Sequence, residues 1–364
     1  MVKILHIGHT YTPHVYDVIE QIENHTDFYN AVLSCQTKQL FPNYFPKHIP
    51  IYVHNYLDYL DTPKMRSAVD SVLSIEKPDI IIGHSFSQVA VILNYALTVM
   101  NVPAMAFIWG RHDCIKNFKS DGSKRLYYNN LTVLKKLNYL VCTNRWLNLQ
   151  AVKGYGITLD DFIDACPPVN LAQYTDHIPD TSYPKLLLGK PRGDKFIYPC
   201  LYNAFKLFPK LEVHAFNSPS GISLAKKFNV YKKIIFYKSP QTQDNFSNII
   251  KKCNIVSTIT GDPGTGGTAM QATYAGCINL MRRCQSSKWM IEDNINAIMC
   301  IPKVKDVQKK LFYIIKNLSA LSKKFKNNSR HLIKYDRENT WQNLYKGIIN
   351  CLEGKKEKIF PTAK

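Results

Sequence analysis

The chain has 364 residues, 45% of them apolar and 20% charged, a globular balance that excludes a disordered protein and suits two domains of roughly 150 to 200 residues each. Its formal net charge is +20, and Pro302–Lys364 holds 16 Lys and Arg against 5 Asp and Glu, so +11 of that charge lies in the last 63 residues. A surface of that kind seeks an anionic membrane face or phosphate-bearing substrates. No RNP motif, zinc finger or base-reading basic helix accompanies it, so nucleic acid is not an expected partner.

Taken in chain order, Val2–Gly8 reads as a strand, Pro63–Ser74 as a helix with proline near its start, and Asp79–Gly83 as a buried parallel strand. Gln88–Met100 has helical spacing of apolar residues, and Pro103–Trp109 and Tyr139–Thr143 read as further strands. A Pro-rich polar stretch follows, from Cys166-Pro167-Pro168 to Pro184, and then the pattern restarts. Lys185–Gly189 is a strand, Lys195–Phe208 a helix, and Leu211–Phe216 and Ile234–Tyr237 are strands. Asn245–Lys252 is helical, Asn254–Ile259 a strand, Thr268–Ala275 a helix and Cys277–Leu280 a strand. Thr340–Leu352 reads as an amphipathic helix with Thr340 as its N-cap. Two successive series of strands alternating with helices predict right-handed crossovers and two parallel sheets. The α/β class therefore divides into residues 1–180 and 181–335, each a Rossmann-like domain, with 336–364 a helix crossing back to the first domain plus a basic tail. Ligands of such folds bind at the carboxyl ends of the strands.

The ten cysteines contain no Cys-x-x-Cys pair, so neither a zinc site nor a disulfide framework is expected. The start Met1–Gly8 lacks the pattern of a secretory signal. The longest apolar runs, such as Val89–Leu97, fall short of the roughly 20 residues of a membrane span. The expectation is a cytoplasmic protein that lies peripherally on the inner face of the membrane. Its lever there would be Lys303, Lys305, Lys309, Lys310, Lys316, Lys323, Lys324 and Lys326, interleaved with Leu311, Phe312, Ile315 and Phe325. A merely solvated lysine face is the alternative.

Four stretches stand out, three for their chemistry and the fourth, Cys166–Tyr174, as architecture. Gly189-Lys190-Pro191-Arg192-Gly193-Asp194-Lys195 lies between a strand and a helix and gathers three cations. Thr260–Ala272 places Gly261, Gly264, Gly266 and Gly267 at a strand-to-helix junction, where backbone N–H groups approach an anion and the helix dipole favours it. Trp109-Gly110-Arg111-His112-Asp113 clusters polar groups at a strand end, and Cys166–Tyr174 holds a Pro-Pro-Val-Asn turn. Gly8-His9-Thr10 and Gly83-His84 follow two more strands. Structural turns and satisfied histidines are the competing readings of each.

In combination and order these stretches resemble the retaining glycosyltransferases of family 4, whose fold is called GT-B: two Rossmann-like domains with parallel sheets facing an interdomain cleft. The resemblance implies that Lys190, Arg192 and Lys195 hold the diphosphate of a nucleoside diphosphate sugar, helped by Gly264, Thr265, Gly266, Gly267 and Thr268. A leaving phosphate gains negative charge as the glycosidic bond breaks, which is what such cations stabilise. Gln271 stands where the family has the second of two Glu residues, and would hold the ribose through its amide. Pro263 stands at the first, with Asp262 beside it. His112 and Asp113, with Asp262, are the expected catalytic residues. Gly8, His9, Thr10, His84, Trp109, Gly110 and Arg111 would line the acceptor or donor loops. The resemblance further implies transfer without metal or other cofactor, to a glycan or lipid-linked acceptor in cell-surface polysaccharide or glycoconjugate synthesis. A sugar-nucleotide epimerase or hydrolase of the same architecture, or a binding module without catalysis, is the rival. No Asp-x-Asp, P-loop or Gly-x-Ser-x-Gly motif occurs.

Overall fold

A computed structural model describes residues 1–8, 13–35, 46–54, 61–84, 86–108, 121–142, 145–158, 162–165, 169–189, 195–238, 243–259, 267–283 and 291–355. The chain divides into two units, Met1–Pro168 with Arg337–Lys364, and Val169–Asp336.

In the first unit the elements are β1 (Lys3–Gly8), α1 (Pro13–His25), β2 (Tyr29–Ser34), β3 (Ile51–Val53), α2 (Pro63–Glu76), β4 (Ile80–Gly83), α3 (Phe86–Met100), β5 (Ala104–Ile108), α4 (Asp121–Leu134), β6 (Tyr139–Cys142), α5 (Arg145–Tyr155) and β7 (Phe162–Asp164). The strands pair in parallel in the order β3-β2-β1-β4-β5-β6-β7. Ile80, Ile81 and Ile82 of β4 are all fully buried, because helices cover both sides of the sheet and no strand position there faces water. Leu5, Ile7 and Ile81 point to the face covered by α2 and α3, whereas Ile4, Ile80 and Ile82 point to the other. Local chemistry fixes α2: the Thr62 hydroxyl accepts from the Met65 N–H, Pro63 opens the helix, and Lys77 ends it in the left-handed region at φ 45°.

In the second unit follow β8 (Lys185–Leu188), α6 (Tyr198–Leu207), β9 (Glu212–Phe216), α7 (Pro219–Lys227), β10 (Ile234–Tyr237), α8 (Gln243–Lys252), β11 (Ile255–Thr258), α9 (Gly267–Tyr274), β12 (Ile278–Arg282), β13 (Ile298–Cys300), α10 (Val304–Lys316) and α11 (Leu318–Asn328). Their parallel order, β10-β9-β8-β11-β12-β13, repeats the pattern of the first sheet. The α6 helix starts three residues later than its sequence suggests: Lys195 to Ile197 form a turn, and Pro199 sits in the first helical turn, where its missing N–H costs nothing.

The last helix, α12 (Arg337–Leu352), returns to the first unit and buries Trp341, Leu344, Ile348 and Cys351 among Ile4, Met105, Tyr139 and Ile163. Thr340 does not cap it. The helix already runs from Arg337, and the hydroxyl of the buried Thr340 donates to the Arg337 carbonyl within the first turn. Asp336 precedes the helix and spends its carboxylate elsewhere: Oδ2 accepts from the N–H groups of Leu171 and Ala172 at 2.6 and 2.9 Å. Asp336 also bridges Val169, so the first and last residues of the second unit lie side by side. That tie places the start of the unit at Val169, ahead of the 180/181 division expected from the Pro-rich stretch. Among the described residues Cys35, Cys200, Cys253, Cys277, Cys300 and Cys351 are buried free thiols.

Candidate functional site

In a doubly wound sheet the strand order reverses at one point, and the loops there diverge to leave a crevice at the carboxyl ends. In the first unit that point lies between β1 and β4, in the second between β8 and β11. The motif residues Gly8 and His84 end or follow β1 and β4; Gly189 follows β8, and α9 follows β11. Sequence motif and topology thus select the same strands twice.

In the second unit Gly189 donates its N–H to the Ser257 carbonyl at 2.9 Å. A Cβ on Gly189 would stand 3.1 Å from that oxygen and 3.3 Å from Thr268 Cγ2, so glycine is what lets the end of β8 approach both β11 and the first turn of α9. The junction is stiffened by Asn279 of β12, which is fully buried. Its Oδ1 accepts from the Thr258 hydroxyl at 2.9 Å, and its Nδ2 lies 3.4 Å from the Ala269 carbonyl and the Thr273 hydroxyl. Asn279 was not among the residues singled out from sequence; its signal was a polar residue inside an apolar strand.

Gly267 and Thr268 form the first turn of α9, where helical N–H groups lack intrahelical partners and the dipole is positive. Gln271 lies one turn on. It is only 5% exposed, and its Oε1 has no hydrogen-bond partner among the described residues, although an unmet buried acceptor costs about 1–3 kcal/mol. Lys195 is exposed, makes no ion pair with a described residue, and holds its ammonium 5.2 Å from the Phe196 ring centroid. Lys190, Arg192, Asp262, Gly264, Thr265 and Gly266 lie outside the described residues.

In the first unit Gly8 is tight for a packing reason. A Cβ there would meet His84 Cβ at 2.9 Å and Val15 Cγ2 at 3.1 Å. His84 is buried, donates its backbone N–H to the Ile7 carbonyl, and stacks on Phe107 with ring centroids 5.1 Å apart. Its Nε2 lies 3.0 Å from His6 Nδ1, and His6 Nε2 lies 3.0 Å from Asn30 Oδ1. The proton positions follow from one end. Asn30 Nδ2 donates to the Phe28 carbonyl, so Asn30 Oδ1 is the acceptor and His6 Nε2 carries a proton. Burial pushes the His6 pKa down to about 4, against the opposing pull of its Asn30 bond, so the ring is neutral near pH 7 and its Nδ1 accepts. His84 Nε2 therefore donates to it. Sequence reasoning named His84 but missed His6 and Asn30, the partners that set its tautomer. His9, Thr10, Trp109, Gly110, Arg111, His112 and Asp113 lie outside the described residues.

No protein-family profile and no curated protein matches the chain. Solved structures do. A glycosyltransferase from Rickettsia africae ESF-5 is 16% identical, with a TM-score of 0.72 over 97% of this chain and 99% of that one. HepE from Anabaena, solved with UDP and glucose, is 11% identical with a TM-score of 0.74 over 96% of this chain and all of the other. A putative UDP-N-acetylglucosamine 2-epimerase from Listeria monocytogenes is 12% identical with a TM-score of 0.69, covering 99% and 100%. At such identities the likeness speaks for architecture, and together with two parallel sheets of the same winding it makes the point plainly: this chain has the GT-B fold, two Rossmann-like halves with flanking helices.

Proposed function

We propose that the protein is a glycosyltransferase that takes its sugar from a nucleoside diphosphate sugar, as a retaining, metal-independent enzyme of cell-surface polysaccharide or glycoconjugate synthesis. The observation that supports this reading is the β8–β11 switch point: Gly189 packs against the first turn of α9 there, and Gln271, whose buried oxygen has no partner among the described residues, lies one turn further along that helix, in a fold shared with a UDP- and glucose-bound protein.

In this reading Lys190, Arg192 and Lys195 hold the diphosphate, and backbone amides from Gly264 to Thr268 add to them. Gln271 holds the ribose. His112, Asp113 and Asp262 face the reacting sugar and its acceptor. The bond from the anomeric carbon to the phosphate oxygen breaks as the bond to the acceptor hydroxyl forms on the same face, and that hydroxyl's proton passes to the departing phosphate. Cations and amides favour the charge on the leaving group more than the bound ground state, which is the part of binding that accelerates reaction. The acceptor is a glycan or a lipid-linked sugar, met by a peripheral protein on the inner face of the membrane.

Epimerisation is the second reading, favoured by the shared fold of the Listeria protein. Following UDP-glucose and UDP-N-acetylglucosamine with and without a lipid-extract acceptor separates the readings. An epimerase converts the sugar nucleotide alone, a transferase consumes it only with acceptor, and turnover should persist in EDTA. UDP at a hundredfold excess over its dissociation constant should raise stability by about 2.7 kcal/mol. No thermal shift with millimolar UDP or either UDP-sugar would sink both readings.

A further inference from the structure

The last 63 residues do not present their charge in the way their order suggests. Leu311, Ile315 and Phe325 are buried in the second unit's core, and the Lys326 ammonium is committed to the carbonyls of Tyr174 and Tyr274 at 2.8 and 2.9 Å. The basic surface with apolar side chains is a different one, shared between α6 and α10.

These two helices pack against each other on one face of the second sheet. Cys200 Sγ lies 3.5 Å from the Val304 carbonyl, and the rings of Phe208 and Phe312 meet edge to face with centroids 5.4 Å apart. Both contacts join residues of equal offset, so the helices run parallel and in step. Leu201, Ala204 and Phe205 of α6, with Val307, Leu311 and Ile314 of α10, turn inward. The outward stripe of α10 is Lys305, Lys309, Tyr313 and Lys316, each about one helical turn beyond the last. That of α6 is Tyr202, Lys206 and Leu207, with Lys210 just beyond its end. Leu207 is 61% exposed, Tyr313 47% and Tyr202 45%. At the start of α10, Ile301 is 52% exposed beside Lys303. The one carboxylate of the two helices, Asp306, is half-buried and accepts from the Ile301 N–H.

We propose that the α6–α10 face docks the protein on an anionic lipid surface, the exposed tyrosines and Leu207 entering the headgroup region and the lysines meeting lipid phosphates. This rests on the peripheral placement proposed above and on no part of the transfer chemistry. The face is about 15 Å long, from ten helical residues, which is too extended for one small anion and suits a surface. Nucleic acid would use the cations but has no place for exposed Leu207 and Ile301. The two helices also hold no arginine, the residue suited to forked phosphate contacts. Lysine stems lie along apolar surface while their heads reach outward, as an interfacial helix requires.

The test is co-sedimentation of the full chain with vesicles of phosphatidylcholine alone or with 30% phosphatidylglycerol, at low and at physiological salt. Binding should need the anionic lipid and weaken with salt. Each lysine near such a surface is worth about a fivefold change in partitioning, so Lys206→Glu with Lys309→Glu and Lys316→Glu should lower it at least a hundredfold. Leu207→Ser with Tyr313→Ser should weaken it at unchanged charge. The control, Lys47→Glu with Lys135→Glu and Lys153→Glu in the first unit, changes net charge equally and should retain most binding. Circular dichroism and UDP-induced thermal shift of every variant separate loss of the face from loss of fold or of the donor reading. Equal loss in the control, equal binding to neutral vesicles, or displacement from vesicles by a duplex oligonucleotide at lower concentration than by phosphatidylglycerol would each overturn the assignment.

Discussion

Two buried polar side chains state opposite facts about their surroundings. His6 has its hydrogen bonds met and is held neutral; Gln271 has an oxygen with nothing to accept from among the described residues. For His6 the consequence is a stability that depends on pH. Its folded pKa, about 4, lies below the ordinary value of 6.5. Above pH 6.5 neither folded nor unfolded chain binds this proton and the effect is nil. As pH falls from 6.5 to 4 the unfolded chain takes the proton first, and stability drops by roughly 3 kcal/mol before levelling off. Denaturant midpoints of the protein and of His6→Asn across that range check this: the variant, whatever its baseline, should lose that part of the slope. Parallel slopes would place the acid sensitivity elsewhere. For Gln271 the sharper substitution is Leu, which keeps the volume and removes the unmet oxygen. Gln271→Leu should stabilise the ligand-free protein by about 1 kcal/mol or more, and should weaken UDP binding by about 2- to 13-fold, the worth of a neutral hydrogen bond. A stabilised variant with unchanged UDP affinity would make Gln271 an interior helix residue and nothing else.

At the scale of elements, legibility follows burial. β4 and β8 could be read because a strand covered on both sides is an unbroken apolar run, and α2 because Pro63 marks its start. What could not be read depends on contacts distant in sequence. Thr340 looks like a cap until the helix is seen to start at Arg337, behind an Asp336 that binds Leu171 and Ala172 more than 160 residues away. Leu311 and Phe325 look like a membrane face until the core claims them, and His6 looks like a strand position until Asn30 and His84 meet it. Gly347 is a further case, a glycine within the helix α12 that no local rule explains. A Cβ there would come 2.1 Å from Ile163 Cδ1, so α12 lies closer to β7 than any other residue permits. Gly347→Ala would gain about 1 kcal/mol of helix propensity on its own. Ile163 is fully buried, and overpacking of a buried side chain costs about 1–3 kcal/mol. The net expectation is a lower melting temperature, recovered in part by Ile163→Val, which removes the clashing methyl. A Gly347→Ala protein that melts higher, or no recovery in the double variant, would contradict this close approach.

For the whole molecule, the path of the chain makes the two units unequal in their dependence on each other. The second unit is one continuous segment, Val169–Asp336, whose ends are bridged and fastened by the Asp336 carboxylate. The first is discontinuous: it closes only when α12 covers the sheet face that carries Ile4, Met105, Tyr139 and Ile163. A fragment spanning 169–336 should therefore fold and melt in one cooperative transition, since its core lacks no element and its termini are already paired. A chain ending at 336 should keep that transition but lose the other, because the uncovered sheet face is a large apolar patch of the kind that drives aggregation. The same fragment bears on donor binding. If the β8–β11 junction holds the nucleotide, the isolated segment carries Lys190, Arg192, Lys195, the glycine loop and Gln271 together, and should bind UDP with affinity reduced by whatever the first unit contributes. Calorimetric melting of both truncations, with and without UDP, reads all three expectations. A folded 169–336 fragment with no UDP-dependent shift at millimolar ligand would move the nucleotide site away from this junction. An unfolded fragment would show that the Val169–Asp336 tie does not close the unit by itself.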